Sequence, residues 1–415
     1  MDKRRIMVLG SDGYLGFSLT LRLIKRGHIV LGIDNLSTRR ITSKIGEESI
    51  FTIPSPLARD KKLKELGDFS FKRADITKEN VIKSAIEEFK PDTIVHFAEQ
   101  RAAPYSMRGE EEAIYTMQNN IIGTMRLIYA VLSTDPNIHI VKMGTMGEYG
   151  TPNYQIPESA YIEITYKGKS DFMPVPKYAG SWYHWTKVHD SHNLLYAANL
   201  WGLKITDINQ GPVYGSRTFD MILDNEVDKS LLTRYDAGET FGTIINLLAA
   251  RASLSYLNYL KTKEKLPIYE RNARTKRGYI SLQDSINSLE SLINNPPNES
   301  NFRVVNQFHE VLDSTYIRQK IQDFFIQNYD YRVPVAYLKE NPRVEKSDHY
   351  YEPENSILKN LGVKFEYTFE SALKDIINDV IRFGENRLLK YKDWIGVPKT
   401  GWRKNWKLEI EKIEY

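Results

Sequence analysis

Residues 6–16 read Ile6-Met7-Val8-Leu9-Gly10-Ser11-Asp12-Gly13-Tyr14-Leu15-Gly16, a short apolar run that gives way to three glycines spaced three apart. The apolar run predicts a buried strand, and Leu15 to Lys25 predicts a helix closed by Gly27 in the C′ position. Between them the glycines permit a tight turn, a close approach of backbone to a pyrophosphate, and close packing of helix on strand. The helix N-terminus then faces the phosphates with unpaired N–H groups. A second strand, His28 to Ile33, ends at Asp34, about twenty residues on, where a carboxylate accepts hydrogen bonds from ribose hydroxyls. Gly10, Asp12, Gly13, Tyr14, Leu15, Gly16, Asp34 and Asn35 are therefore the candidate cofactor contacts. Asp34 favours NAD, because a carboxylate repels the extra phosphate of NADP; Arg39, with Arg40 beside it, could accept that phosphate. Asp75 and Ile76 are placed to touch the adenine, and Asp75 reads equally well as a helix cap. Ala98 and Asn119 complete this set.

Working outward, Thr93 to Phe97, Ile138 to Met143 and Leu203 to Ile208 are further apolar runs. Helical patterns at Lys78 to Phe89, Glu110 to Leu132 and Trp182 to Leu200 separate them. Strand alternating with helix predicts an α/β fold, a Rossmann-type doubly wound parallel sheet, over residues 1–210. An insertion at residues 36–70 is long enough to be functional or self-structured. Over 211–385 the alternation loosens into a smaller α/β lobe, with some segments returning to the first domain. Helices are expected there at Gly242 to Lys261, Leu282 to Asn294 and Asp313 to Gln327, with strands near Leu266 to Tyr269, Arg277 to Ile280 and Phe302 to Val305. Residues 386–415 form a basic aromatic tail with Trp394, Trp402 and Trp406, read as a subunit interface or surface packing before a nucleic-acid or lipid contact.

The bulk numbers narrow the class. With 57 basic and 53 acidic residues the net charge is +4, which implies neither a nucleic-acid nor a membrane partner. There is no cysteine, so disulfides and thiolate metal sites are excluded, and no metal is expected. No apolar signal core precedes the first strand, and no stretch is long enough to cross a bilayer. A cytoplasmic protein is the expectation.

Tyr183-His184-Trp185-Thr186-Lys187 sets a tyrosine and a lysine four apart, on one face of a helix. A phenol of ordinary pKa ~10 is a poor base at neutral pH. An adjacent ammonium and a positive nicotinamide ring favour the phenolate and bring it into working range. Thr145, at the end of an intervening strand, would hydrogen-bond and orient the same substrate oxygen. A glycine-rich dinucleotide turn followed by Thr145, Tyr183 and Lys187 is the signature of the extended short-chain dehydrogenase superfamily in its sugar-nucleotide branch.

Within that branch the chain resembles the UDP-sulfoquinovose synthase family. The likeness is carried by Gly144-Thr145-Met146-Gly147-Glu148-Tyr149-Gly150, by His96 to Met107, by Tyr183 to Asn193, and by shorter blocks including Asn209-Gln210-Gly211, Arg277-Gly278-Tyr279, Asn306-Gln307-Phe308 and Glu345 to Tyr351. The resemblance implies synthesis of UDP-sulfoquinovose from UDP-glucose and sulfite, with NAD oxidised and reduced in one cycle, and a homodimer or homotetramer. Tyr183 would take the proton of the hydroxyl at sugar carbon 4. Related dehydratases carry an Asp-Glu pair after the threonine, where this chain has Met146-Gly147, so the acceptor of the carbon 5 proton is open between Glu148 and His184, each of which also reads as a structural group. Arg101 is the candidate for gripping sulfite or sulfonate, or else it pairs with Glu99 or Glu110. Gln210, Arg234, Thr243, Asn246, Arg277 and Gln307, with Thr145 and Met146, are the remaining substrate candidates. A UDP-glucose 4-epimerase shares the fold, cofactor and tyrosine–lysine pair. A non-enzymatic NAD-binding regulator shares the fold but has no use for the phenolate.

Overall fold

Six parallel strands run through the first half of the chain and are joined by a seventh from the second: β1 (Arg5–Leu9), β2 (Ile29–Asp34), β3 (Phe69–Arg73), β4 (Thr93–His96), β5 (His139–Met143), β6 (Ile205–Gln210) and β7 (Phe302–Gln307). The computed structural model describes residues 3–270, 275–298, 301–343, 351–399, 401–402 and 405–415. The block Glu345 to Tyr351 thus lies outside the described residues except for Tyr351. Sheet order is β7-β6-β5-β4-β1-β2-β3, and every neighbouring pair is parallel. The order reverses between β1 and β4, the switch point where a doubly wound sheet opens a crevice at its strand ends. Gly10 sits there, directly after β1.

Helices cover both faces. α1 (Tyr14–Lys25) lies on one face, and α2 (Val81–Phe89), α3 (Gly123–Thr134) and α4 (Trp182–Trp201) lie on the other, each with an apolar cluster beneath it. α4 starts where the Ser181 hydroxyl accepts the His184 N–H and stops at Gly202 in the left-handed conformation. The second lobe centres on α5 (Ile244–Thr262), α7 (Ser314–Tyr329) and α8 (Phe369–Lys390) around a separate core.

Four expectations change. The strand at Phe302 belongs to the seven-stranded sheet, as β7 beside β6. α6 (Leu282–Asn294), expected in the second lobe, buries Leu282, Ile286 and Leu289 in the same cluster as α1. Glu110 to Leu132 is not one helix: a π-helical turn at Gln118–Ile122 interrupts it. The fourth difference is an antiparallel hairpin, Tyr161–Tyr166 with Lys169–Pro174, joined by a left-handed turn at Lys167 and Gly168, where the sequence shows no clean alternation.

The insertion is self-structured. It forms helices Ser37–Lys44 and Pro56–Leu66, and it joins the two lobes. Ile50 and Phe51 are buried in the second-lobe core. Arg59 is buried and donates to the Asp12 carboxylate at 2.8 Å and to the Leu232 carbonyl at 2.9 Å. The tail also departs from a purely surface role: Ile410–Glu414 pairs antiparallel with Val335–Leu338, and Gly396, Pro398 and Trp402 reach the central cavity. Arg59→Met should destabilise the fold by about 3 kcal/mol, because it strips a partner from a buried carboxylate. Thermal or urea unfolding checks it.

Candidate active site

One cavity of about 1100 Å³ opens at the switch point and runs between the lobes. That volume stands at the upper end of the range for ligand pockets. Its dinucleotide half is built by the glycine turn. A Cβ on Gly16 would stand 2.0 Å from the Gly10 carbonyl oxygen, and one on Gly10 would meet the backbone of Phe97 and Ala98 at 2.7–2.8 Å. Gly10 also holds φ +86, a value side chains rarely adopt. α1 begins without a side-chain cap and without an acidic residue in its first turn. Its N–H groups are left for an anion, which is what a pyrophosphate cradle requires. Gly13, Tyr14, Leu15, Asn35, Ile76, Ala98 and Asn119 line the same space.

Asp34 lines it too. Its two oxygens accept N–H groups from Asp12 at 2.9 Å and Leu36 at 2.6 Å, and each keeps a lone pair for a ligand hydroxyl. Burial, with Asp12 nearby, pushes it up to about 6. Three cofactor candidates do not face the cavity. Asp12 is buried between Arg39 and Arg59, which bring it below the usual carboxylate range against the effect of burial. Arg39 is held by two hydrogen bonds on Asp12, and Arg40 donates to the Asn35 carbonyl. Asp75 caps no helix; it closes a turn, accepting the N–H and hydroxyl of Thr77.

The catalytic candidates converge at the ends of β4, β5 and α4. Thr145 caps a 3₁₀ turn, Met146–Tyr149, with its hydroxyl accepting the Gly147 N–H at 3.1 Å. Thr145, Met146, Tyr183, His184 and Lys187 all line the cavity. Glu148 does not. Its carboxylate is fully buried, accepts the Thr145 N–H at 3.2 Å and pairs with Lys177 at 2.6 Å. Burial pulls the Lys177 ammonium down, yet Glu148 holds it above its ordinary value. The His184 imidazole packs so tightly on Gly147 that a Cβ there would lie 2.3 Å from Nε2.

Lys187 lies on the same side of α4 as Tyr183, as the spacing implies, and its hydrogen bonds go to other groups. Its ammonium pairs with Glu99 and donates to the Met143 carbonyl at 2.6 Å, standing 5.6 Å from the Tyr183 ring centre. Burial lowers it to about 8, with Asp190 and Asp207 opposing. Burial raises Tyr183 to about 12, and the cations that pull against this are Lys142 and Arg101. Glu99, Lys142 and Asp190 were not picked out by spacing, although a lysine inside an apolar strand was a visible signal, since such charges are seldom buried unpaired.

Arg101 lines the cavity but pairs with Asp236, not with Glu99 or Glu110. Arg234 is buried on the same Asp236 at 2.8 Å and also reaches the Thr42 hydroxyl; it lies behind the wall rather than in it. Two guanidiniums on one carboxylate leave a positive charge over at the cavity surface. Asn246 is likewise structural, its oxygen accepting the Gly215 N–H. Gln307 is fully buried beneath Gln210, accepting from it at 2.7 Å. Gln210, Thr243 and Arg277 do line the cavity.

Ribose hydroxyls donate to the ionised form of Asp34, so dinucleotide binding should expel its proton. NAD affinity should then fall about tenfold for each pH unit below about 6. Calorimetric titrations at about pH 5 and about pH 7 check this, and Asp34→Asn should abolish the slope.

A family profile described as NAD dependent epimerase/dehydratase matches residues 6–254. The UDP-sulfoquinovose synthase of Sulfolobus acidocaldarius is 46% identical over 405 residues, 96% of this chain and 98% of that protein. The chloroplastic UDP-sulfoquinovose synthase of Spinacia oleracea is 36% identical over 412 residues, 97% of this chain and 80% of that protein. Among solved structures, a UDP-glucose-4-epimerase from Stenotrophomonas maltophila with bound NAD superposes with a TM-score of 0.66, covering 92% of this chain and 98% of that one; at 17% identity it shows a shared fold. Matched from end to end in this way, the chain belongs to the NAD dependent epimerase/dehydratase family and, within it, to the UDP-sulfoquinovose synthases.

Proposed function

We propose that the protein makes UDP-sulfoquinovose from UDP-glucose and sulfite, with NAD retained through the cycle. The observation that carries this reading is a single cavity holding a dinucleotide cradle, the Thr145–Tyr183 pair and the cationic Arg101. NAD, when bound, supplies the acceptor for the carbon 4 hydride and returns it at the end.

Tyr183 takes the proton of the carbon 4 hydroxyl and later gives it back, and Thr145 orients that oxygen. The ketone so formed at carbon 4 acidifies carbon 5. His184 is the better candidate for the carbon 5 proton, because it lines the cavity while both oxygens of Glu148 are engaged behind it. Water leaves from carbon 6, and sulfite adds to the unsaturated ketone. Arg101 suits that anion, since the positive charge left beside Asp236 is partly desolvated and already aimed. Arg277 and Thr243 suit the nucleotide end, and Lys187 suits the cofactor, since all three line the cavity. For the homodimer or homotetramer that the resemblance implies, exposed Tyr129 and Tyr196, which bracket Trp201 on α3 and α4, offer an aromatic surface. Among the described residues no helix is long and apolar enough to cross a membrane.

Incubating the protein with UDP-glucose and sulfite should give a product whose mass reflects sulfonate in place of hydroxyl. UDP-galactose formed without sulfite would instead establish the epimerase. Gly147→Ala should push the His184 ring aside and slow overall turnover by about 100-fold, while NAD reduction by UDP-glucose continues. Single-turnover absorbance of reduced NAD beside product mass separates the two steps.

A further inference from the structure

Tyr183, Lys187 and Asp190 fall at i, i+4 and i+7 on α4, so all three share one face of that helix. Asp190 is fully buried, and the ammonium of Lys142, a fully buried lysine of β5, stands 3.8 Å from its carboxylate. Lys142 precedes Met143, whose carbonyl receives Lys187. Both lysines thus reach the end of the same strand, and the Lys187 ammonium stands 5.6 Å from the Tyr183 ring centre. Neither Lys142 nor Asp190 lines the cavity. A buried ion pair is a poor way to stabilise a core, where apolar residues of similar volume do as well or better. Its presence on the helix face that carries Tyr183 calls for another role.

We propose that Lys142 and Asp190 are positioning residues that set the ionisation of the Tyr183 hydroxyl, the ammonium favouring the phenolate and the carboxylate opposing it, without touching sugar or cofactor. The proposal rests on the reading of Tyr183 as the base. The neighbouring charges are otherwise committed: Lys187 to Glu99, Lys177 to Glu148, and Asp207 to the Ser191 hydroxyl. His184 also faces Tyr183, its ring centre 5.0 Å away, and His96 is held neutral by burial, with Lys187 and Lys142 adding to the effect. Lys142 keeps its charge. Burial works against it, but Asp190 and Asp207 hold it above the ordinary lysine value. Burial is the largest influence raising Tyr183; among the charges around it, Lys142 and Arg101 pull down, while Glu148 and Asp190 push up.

The test is the pH dependence of NAD reduction when NAD-loaded enzyme meets UDP-glucose without sulfite. Lys142→Met should move the apparent pKa of that step up by about one unit, and Asp190→Asn should move it down by about one. The ultraviolet difference spectrum of tyrosinate, with Tyr183→Phe as the blank, should show the same opposite displacements without turnover. Displacements in one direction, or lower rates with an unmoved profile, would overturn the proposal. If Lys142→Met does not fold, the isosteric Asp190→Asn decides alone: a downward displacement supports the pair and none refutes it. Undiminished NAD reduction by Tyr183→Phe would sink the reading of the base itself, a result distinct from either.

Discussion

No side chain fits between Gly10 and Gly16. The carbonyl of one lies where the Cβ of the other would stand, so α1 leans directly on the end of β1. That contact aims the N-terminus of the helix into the crevice at the switch point. It also fixes the position of Tyr14, whose hydroxyl donates to the Gly215 carbonyl while its own carbonyl accepts the Thr233 hydroxyl. The second lobe is thereby hung on the same turn that forms the cofactor cradle. A displacement of α1 would be felt on both walls of the cavity.

Around that cavity the protein keeps charge in the interior. Asp12 lies between Arg39 and Arg59, Asp236 between Arg101 and Arg234, Glu99 against Lys187, Glu148 against Lys177, and Asp190 near Lys142. Each removes two or three ions from water and contributes little net stability. What the pairs provide is fixed direction: charges that are already oriented when a substrate develops charge of its own. The pairs also divide the work. Those of arginine with aspartate brace the glycine turn and leave a cation for an anion, while those of lysine with a carboxylate all bear on α4, the helix that carries the phenol.

The π-helical turn at Gln118–Ile122 serves the same end. It brings Asn119 to the cavity, while Asn120 exchanges hydrogen bonds with the backbone of Gln100 and reaches the Thr186 hydroxyl. The segment carrying Glu99 and Arg101 is thus tied to the helix carrying Tyr183. Single π-helical turns of this kind are frequent at functional sites.

Local features were legible without coordinates. Glycine spacing, the alternation of apolar runs, and a tyrosine four residues before a lysine are properties of near neighbours along the chain, and backbone geometry converts them directly into a turn, a sheet and a helix face. Partnership is not local. Arg101 meets Asp236 across 135 positions and Arg59 meets Asp12 across 47, so inspection of either neighbourhood could not say which carboxylate each would find. For the same reason Glu148, Arg234, Asn246 and Gln307 looked as available for substrate as Tyr183 did, and only burial against distant groups assigned them to the frame. Sequence alone determined the fold of the first half, the dinucleotide turn and the chemical pair, because those follow from short-range periodicity. Tertiary structure decided which charges face the cavity and which are neutralised behind it, because that depends on which distant segments packing brings together.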